Sequence, residues 1–311
     1  NNKVVVPSVA WATDLAPVMQ LGLEPILCDS NKRDLSADLV HLEKIFKEES
    51  PSALMFVSVL GLVPEMDKVV ELCEKYDVIL LEDTCESMGC KYKQVKLGTF
   101  GKMSSFSTYF GHHISTIEGG FVSTDDKDLY DILISIRAHG WGRDLDTEKQ
   151  IELQRDWDVS TFNALYTFYY QGFNVRATDL QAYIGLSQID KLDGWGLKRE
   201  YNYLTYQKLV KNNYWKPTTE LSDFNSNFAY PVIHPNRDKI VHELEKNGVE
   251  VRPMICGSMG TQPFYVKEYG KLELPNVTEI DRYGFYVPNN PHITDDEIVF
   301  ISNIINGQIN D

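Results

Sequence analysis

Short apolar runs alternate with amphipathic stretches through the first half of the chain. The apolar runs at 4–7, 24–28, 53–59 and 78–81 predict buried strands, and the helical spacing of apolar residues in 66–76 predicts a helix. Because strands and helices alternate, we expect an α/β fold with a mostly parallel sheet covered on both faces. Ligands bind such sheets at the carboxyl ends of the strands, which is where Asp83 follows the run 78–81.

The pattern changes in the second half. Residues 145–165 are polar and irregular, and long amphipathic stretches then begin at Thr178 and Leu192. Beyond them, strands at 228–233 and 249–252 and helices at 238–247 and 295–305 predict a smaller α+β unit. We therefore expect a large domain at 1–195 and a small C-terminal domain at 196–311.

In the first half of the chain, Ser36 is the predicted N-cap of a helix.

Composition and charge narrow the class of protein. The 311 residues are 43% hydrophobic and 24% charged, as in an ordinary globular protein, and the net charge of −15 argues against a nucleic-acid partner. No apolar run approaches the roughly 18–20 residues of a membrane span, and no signal-peptide pattern is present. The odd number of cysteines, without the paired spacing of a zinc site, indicates reduced thiols and a cytoplasmic location. They are Cys28, Cys73, Cys85, Cys90 and Cys256.

Two adjacent histidines mark the candidate chemistry. The stretch 107–126 reads STYFGHHISTIEGGFVSTDD and places His112 and His113 between two β-type runs, before a Glu-Gly-Gly bend. Imidazoles at such a bend are suited to acid–base chemistry near neutral pH. A hydrogen-bonded structural histidine is the alternative, and the pair on its own favours it.

Four other residues have a structural and a functional interpretation each. Asp83 could pair with a cationic ring nitrogen or cap local backbone. Trp11 follows the first strand and could stack on a planar cofactor or belong to the core. Ser107 could donate to a phosphate or be an ordinary strand residue. Asn174 precedes a helix and could bind an anion or stabilise a turn.

The order of the motifs is more informative than any one of them. WATDLAPVMQLGLEPILCD, LLEDTCESMG, the histidine stretch, IRAHGWGRD and GFNVRATDLQAYIGLSQIDKLD follow one another along the chain. Together they resemble the sugar aminotransferase family called DegT/DnrJ/EryC1/StrS, over nearly the whole length. The resemblance implies an aspartate-aminotransferase-like fold (pyridoxal phosphate fold type I) and pyridoxal 5'-phosphate or pyridoxamine 5'-phosphate as cofactor.

The resemblance also implies a role for each candidate residue. Asp83 would pair with the pyridine nitrogen of the cofactor. Glu86 stands where the family often has a glutamine, near the ring hydroxyl. Trp11 would stack on the ring, and Ser107 would bind the cofactor phosphate. Asn174 would reach the phosphate of a neighbouring subunit, so the resemblance implies a homodimer with shared active sites.

One position departs from the family pattern. Family aminotransferases have a cofactor-linking lysine five residues after the serine, and here that position is His112. A histidine cannot form a Schiff base, but it can move a proton. The motif His-His-Ile is similar to one branch, the 4-keto-6-deoxysugar 3-dehydratases of dideoxysugar and O-antigen lipopolysaccharide biosynthesis. That branch implies a nucleotide-linked 4-keto-6-deoxyhexose as substrate, His112 as base and glutamate as amino donor.

Some members of this branch hold an iron–sulfur cluster on four cysteines. Cys85 matches one of these positions, but the loop after Asp144 has no cysteine, so we expect no cluster and no metal. Two other functions stay open: a nucleotide-sugar aminotransferase, and a non-catalytic dimerising paralogue. The second arises because the family places a phosphate-binding turn before the strand at Val4, and the large domain is expected to lack it. Arg143 and Arg252 are candidates for binding anionic groups, or equally for ion pairs.

Overall fold

The computed structural model describes residues 2–218 and 220–309, which contain two separate main sheets. The strands, in chain order, are β1 Lys3–Pro7, β2 Glu24–Cys28, β3 Ala53–Val57, β4 Ile79–Asp83, β5 Lys91–Tyr92, β6 Val95–Lys96, β7 Met103–Ser107, β8 Gly120–Ser123, β9 Ala229–Ile233, β10 Arg252–Pro253 and β11 Gly284–Pro288. The helices are α1 Ala12–Gln20, α2 Leu39–Glu49, α3 Met66–Tyr76, α4 Lys127–Ile136, α5 Thr147–Asp156, α6 Thr161–Ala164, α7 Asp179–Ile189, α8 Leu192–Leu209, α9 Arg237–Lys246, α10 Pro263–Tyr269, α11 Pro275–Tyr283 and α12 Asp295–Ile309.

The large sheet has six strands in the order β2-β1-β3-β4-β7-β8. All neighbouring pairs are parallel except β7 and β8, which run antiparallel at one edge. Val5 and Val6, which point to opposite faces of β1, are both fully buried. The sheet is therefore covered on both sides, and the predicted mostly parallel α/β architecture is confirmed. Its carboxyl ends lie at one edge, which is where the candidate residues of β4 and β7 stand.

Two local predictions are wrong. Helix α2 begins after Asp38, whose carboxylate accepts from His41 N–H at 2.8 Å, whereas the predicted N-cap Ser36 donates its hydroxyl to Asp34. The stretch 145–165 is not irregular, because it contains α5 and α6. Helix α5 has little apolar periodicity, and its start is fixed by Asp146, which accepts from Lys149 N–H at 2.9 Å. The first residue of α2 and of α5 is therefore set by the N-cap side chain before it, and not by the spacing of buried apolar residues.

The second sheet is antiparallel, in the order β10-β11-β9, and it forms the centre of the C-terminal part. The predicted strand 249–252 is shorter than expected, because only Arg252–Pro253 pairs with β11. Helix α8 leads into this part, and its buried Tyr206 stacks on Tyr230 of β9 at 4.8 Å. The predicted boundary between 1–195 and 196–311 falls within α8 and stays a prediction.

The two parts share one apolar cluster. It includes Val6 and Leu15 from the large-sheet region and Tyr230, Ile240 and Ile280 from the C-terminal region, all of them buried. Backbone contacts join the parts as well, since Met259 N–H donates to the Ser8 carbonyl at 2.9 Å. The carboxyl-end edge of the large sheet is therefore closed on one side by the C-terminal part.

Across the described ranges, no helix is both long enough and apolar enough to pass through a bilayer. All the cysteines predicted to be reduced are free thiols in the structure, and Cys28, Cys73 and Cys90 are buried.

Candidate active site

A cavity of about 560 Å³ opens where β3, β4 and β7 end. It lies at the edge of the large sheet that faces the C-terminal part, and residues of both parts line it. Parallel strands bring their carboxyl ends to one edge, so residues far apart in the chain meet there. The structure places five predicted site residues in its wall: Trp11, Asp83, Glu86, Ser107 and His112.

Asp83 is the last residue of β4, paired in register with Val57 of β3 and Ser105 of β7. Its Oδ1 accepts from Cys85 N–H at 2.9 Å and from the Ser105 hydroxyl at 3.1 Å. The local backbone bond was one alternative for this residue, and it is present. The carboxylate nevertheless faces the cavity, and among the described residues no lysine or arginine forms a salt bridge with it. It can therefore pair with a cationic ligand.

The neighbouring carboxylate has a different role. Glu82 is buried and accepts from the backbone N–H groups of Gly98 at 2.8 Å, Phe100 at 2.7 Å and Gly101 at 2.7 Å. Successive side chains of a strand point to opposite faces, so Glu82 and Asp83 cannot both face the cavity. Glu82 holds the 98–101 loop, and Asp83 is left for the ligand.

Glu86 follows β4 and forms a second acidic group in the cavity wall. Its Oε2 accepts from Leu60 N–H at 2.8 Å, and Leu60 has a left-handed backbone with φ of 52°. Burial raises the pKa of Glu86 to about 8, and the charge of nearby Asp83 acts in the same direction. At neutral pH this carboxyl therefore keeps its proton and can donate a hydrogen bond into the cavity.

His112 is held by one ring nitrogen. Nδ1 lies 2.7 Å from the carbonyl oxygen of Cys85, and the ring packs 5.0 Å from the ring of Phe228. A carbonyl only accepts, so Nδ1 is the protonated nitrogen, and Nε2 of the neutral ring has a free lone pair. Burial lowers the pKa of His112, so the neutral form prevails at neutral pH. The geometry fits a general base.

His113 matches the structural alternative instead. It is 3% exposed, its Nε2 lies 2.5 Å from the carbonyl oxygen of Ser226, and it is absent from the cavity wall. Burial lowers its pKa to about 3, and the positive charge of Arg199 lowers it further. Neighbouring histidines thus have unlike environments, and only His112 can exchange protons with a ligand.

Trp11 and Ser107 complete the predicted wall. Trp11 follows β1 and is 55% exposed, so the core interpretation of this tryptophan is wrong. Ser107 ends β7, and its Oγ accepts from Tyr109 N–H at 3.1 Å. An exposed indole face, a carboxylate without a cationic partner among the described side chains, and a hydroxyl at the strand end together fit a planar ring with a protonated nitrogen and a phosphate.

Sequence reasoning missed Arg199 of α8. Its side chain is buried against the cavity, and Nη1 donates to the Phe228 carbonyl at 3.1 Å and to the Asn289 carbonyl. Its Nε has no hydrogen-bond partner within the described structure. The sequence of α8 gave no signal for Arg199, because this helix contains several charged residues. Only packing against distant parts of the chain buries Arg199.

The remaining candidates divide between the cavity and the surface. Asn174 is exposed, pairs with Ala138 in a backbone bridge, and lies outside the cavity of its own chain. Arg143 stacks 4.2 Å from the ring of Trp141, away from the cavity. Arg252 does line the cavity, and its Nη2 lies 2.6 Å from Glu250 Oε1. No group of three or more His, Cys, Asp or Glu side chains that could hold a metal ion occurs in the described ranges.

Comparison with known proteins decides the family. The model of the DegT/DnrJ/EryC1/StrS aminotransferase family matches residues 1–306. The chain belongs to this family. A GDP-4-keto-6-deoxy-D-mannose 3-dehydratase of Yersinia pseudotuberculosis is 32% identical over 98% of this chain and 79% of its own length. The family predicted from the motifs is confirmed.

Solved structures agree with this member of the DegT/DnrJ/EryC1/StrS family in fold. A GDP-4-keto-6-deoxymannose-3-dehydratase mutant with bound GDP-perosamine superposes with a TM-score of 0.87 and 29% identity, covering 98% of this chain and 80% of the other. A second structure of the dehydratase, with a trapped PLP-glutamate geminal diamine, has a TM-score of 0.86 and 29% identity with the same coverage. The predicted fold type is confirmed.

Proposed function

We propose that the protein is a pyridoxamine-phosphate-dependent 3-dehydratase that removes the C3 hydroxyl group from a nucleotide-linked 4-keto-6-deoxyhexose. The observation that carries this proposal is His112, which stands at the family's lysine position with Nε2 free. Among the described residues, no lysine lines the cavity. The Yersinia relative is named for this reaction on GDP-4-keto-6-deoxy-D-mannose, which is the member of the substrate class that we propose first.

Four wall residues would hold the cofactor. The Asp83 carboxylate would pair with the protonated pyridine nitrogen, and Trp11 would cover one ring face. Protonated Glu86 would donate to the ring hydroxyl, and the Ser107 hydroxyl would contact the phosphate. When bound, pyridoxamine phosphate supplies an amine that condenses with a ketone and a ring that accepts electrons. His112 makes no covalent bond in this arrangement.

His112 would move one proton between two atoms. Its Nε2 would take a proton from the methylene carbon beside the cofactor amine, and the imidazolium would then give a proton to the departing C3 hydroxyl, which would leave as water. The Cys85 carbonyl holds Nδ1–H throughout and keeps Nε2 directed at the cavity. Hydrolysis of the product yields the 3-deoxy-4-keto sugar and ammonia. Glutamate would then restore the cofactor amine and leave as 2-oxoglutarate, and the relative trapped with PLP-glutamate supports this donor.

The competing function is amination of the same sugar, the reaction after which the family is named. The two functions give different products from one mixture of protein, pyridoxal phosphate, glutamate and GDP-4-keto-6-deoxy-D-mannose. We expect a 3-deoxy sugar with release of ammonia, measured by mass spectrometry and a coupled ammonia assay. An amino sugar without ammonia would identify a transaminase. If neither product forms and the cofactor absorbance does not change on addition of protein, the result would favour a non-catalytic paralogue.

A second copy of the chain would complete the site. Helix α7 presents Leu180, Tyr183, Leu186 and Ile189 to solvent with exposed fractions of 68%, 75%, 69% and 51%. Exposed apolar side chains on one element mark an interaction surface, and the exposed Asn174 lies just before this helix. We infer a homodimer in which Asn174 contacts the cofactor phosphate of the partner subunit.

This dimer is tested by one charged substitution. Leu186→Glu is expected to give a monomer in light scattering and to weaken cofactor binding, because the shared site is lost. Val40→Glu is the control, since Val40 is 81% exposed on α2 and should leave the dimer intact. A wild-type protein that is monomeric at assay concentration would overturn the proposal.

We also propose that the protein works in the cytoplasm, because its cysteines are free thiols.

A further inference from the structure

The chain enters β9 through a short buried segment, residues 225–228, which belongs to no helix or strand. Asn225, Ser226 and Asn227 are at most 3% exposed, and Phe228 stands in the cavity wall. Backbone groups that are buried outside regular structure need hydrogen-bond partners elsewhere in the fold. The partners of the 225–228 segment therefore show what holds this side of the cavity in place.

Two residues of the segment are anchored to distant parts of the chain. Phe228 N–H donates to the Leu60 carbonyl at 3.1 Å, and the Phe228 carbonyl accepts from Arg199 Nη1 at 3.1 Å. The Ser226 carbonyl accepts from Nε2 of His113 at 2.5 Å. No other described residue donates to that carbonyl, so His113 is its anchor. Because a carbonyl only accepts, His113 carries its proton on Nε2.

The Phe228 ring is the part of the segment that reaches the proposed base. Its centroid lies 5.0 Å from that of the His112 imidazole, with 35° between the ring planes. The hydrogen bond between Nδ1 and the Cys85 carbonyl fixes one end of the imidazole, but a single bond does not prevent the ring from tilting. Packing against Phe228 restricts this tilt and covers part of the imidazole. The position of Phe228 therefore affects where Nε2 of His112 points.

We propose that His113 is a positioning residue for His112: its bond to Ser226 anchors the 225–228 segment and thereby holds the Phe228 ring against the imidazole of the base. The two adjacent histidines have different surroundings, since one lines the cavity and the other is buried. They act together through a segment that lies 113 residues further along the chain. The inference rests on the proposed function only in naming His112 as the base.

The charges around His112 stay in place when this packing is changed. The other titratable groups of the cavity wall are Asp83, Cys85, Glu86, Tyr109, Arg199 and Tyr286, and the ion pair of Glu250 and Arg252. Burial lowers the pKa of His112, while the charge of Asp83 raises it and that of Arg199 lowers it. Removing the Phe228 ring, or loosening its segment, acts chiefly on burial. The pKa of His112 should then rise toward its ordinary value of about 6.5.

The variants His113→Leu and His113→Gln separate the hydrogen bond from the filling of space. Leucine has no donor for the Ser226 carbonyl, whereas the amide nitrogen of glutamine can still donate to it. We expect His113→Leu to shift the NMR titration of the His112 ring upward, and His113→Gln to keep the wild-type value. The cofactor-free protein is used, and the His112 signal is the one missing from His112→Asn. An unchanged titration in folded His113→Leu, or an equal shift in both variants, would overturn the proposal.

The variant Phe228→Leu tests the packing alone, because it keeps the backbone bonds of the segment. It should shift the His112 titration upward, whereas the control Phe264→Leu, at a partly buried ring of α10 outside the cavity wall, should not. If His113 acts through Phe228, adding His113→Leu to Phe228→Leu should shift the titration no further. Additive shifts would show a separate route and refute the proposal, as would no shift in Phe228→Leu. No cofactor enters these measurements, so they stay decisive if the proposed function fails.

Discussion

The Nδ1 nitrogen of His112 lies 2.7 Å from the backbone carbonyl oxygen of Cys85, 27 residues earlier in the chain. The contact joins the loop after β7 to the turn after β4, and it settles which ring nitrogen can act. Because the carbonyl belongs to the backbone, no side-chain substitution removes it directly. The Nε2 nitrogen that we propose as the base is thus oriented by the fold itself.

Removing the base should remove the reaction while the fold persists. His112→Asn is expected to lower the rate of C3 deoxygenation by about 10²–10⁴-fold, the usual contribution of a general base, with circular dichroism unchanged. His242→Asn is the matched control, because His242 is an exposed histidine of α9. Full activity of His112→Asn would contradict the assigned role.

The acid side of the pH profile should reflect His112. Burial lowers its pKa, so the base form persists below the ordinary value of about 6.5, and kcat/KM should fall only as pH drops through this lowered pKa. The charge of Asp83 opposes the shift, so Asp83→Asn should move the acid limb to still lower pH in its residual activity. An acid limb above the ordinary histidine value would contradict this.

Adjacent carboxyls of β4 should respond differently to loss of charge. Asp83→Asn is expected to weaken binding of pyridoxamine phosphate about tenfold or more, since a charge-assisted bond is lost, with little change in stability. Glu82→Gln should lower the free energy of unfolding by about 1–3 kcal/mol, because its amide group meets the backbone donors of the 98–101 loop. Cofactor titration and urea unfolding test the pair, and reversed effects would refute the division of roles.

Glu86 should make stability depend on pH. Its folded pKa of about 8 lies above the ordinary value, so the folded state binds the proton more tightly and the free energy of unfolding falls as pH rises through this range. Glu86→Gln should flatten that fall by up to about 1.4 kcal/mol per pH unit. Below the ordinary glutamate pKa the slopes should coincide. An unchanged slope between pH 5 and about 8 would show that Glu86 is ionised.

Gly140 should tolerate no side chain. It has a φ of +84°, and a Cβ there would lie 1.8 Å from the carbonyl oxygen of Tyr170. Gly140→Ala is expected to cost about 2 kcal/mol or more, from left-handed backbone strain and the clash. Gly194→Ala in the exposed first turn of α8 meets no atom within 4 Å and should gain about 0.5–1 kcal/mol. Thermal unfolding compares both variants with the wild type.

Much of the fold could be predicted because burial leaves a periodic record in the sequence. Strands β1 and β3 of the large sheet are continuous apolar runs, and α3 has a clear apolar stripe. Helix α5 lacks such a stripe and was missed, since its cap and charged side chains stabilise it. The predicted strand at 249–252 was too long, because Val249 and Val251 pack against the apolar cluster without pairing with β11.

Position in the chain was enough to single out Asp83, Ser107 and His112 as candidates, because they lie at or shortly after the predicted strands. Their proposed roles came from the family resemblance, since each residue on its own also had a structural interpretation. Arg199 was not singled out, because its place in the cavity wall depends on which distant groups fold against it. A helix arginine looks ordinary in the sequence until the carbonyl of Phe228 is placed beside it.

The alternation of Glu82 and Asp83 has a consequence for how this sequence can change. A one-residue insertion or deletion in the turn before Ile79 would shift β4 by one position and exchange the faces of the two carboxyls. The ligand would then lose its counter-charge and the 98–101 loop its anchor at the same moment. Substitutions at the surface of this strand are therefore far easier to accommodate than any change in its length, so the spacing between β3 and β4 is itself a functional constraint.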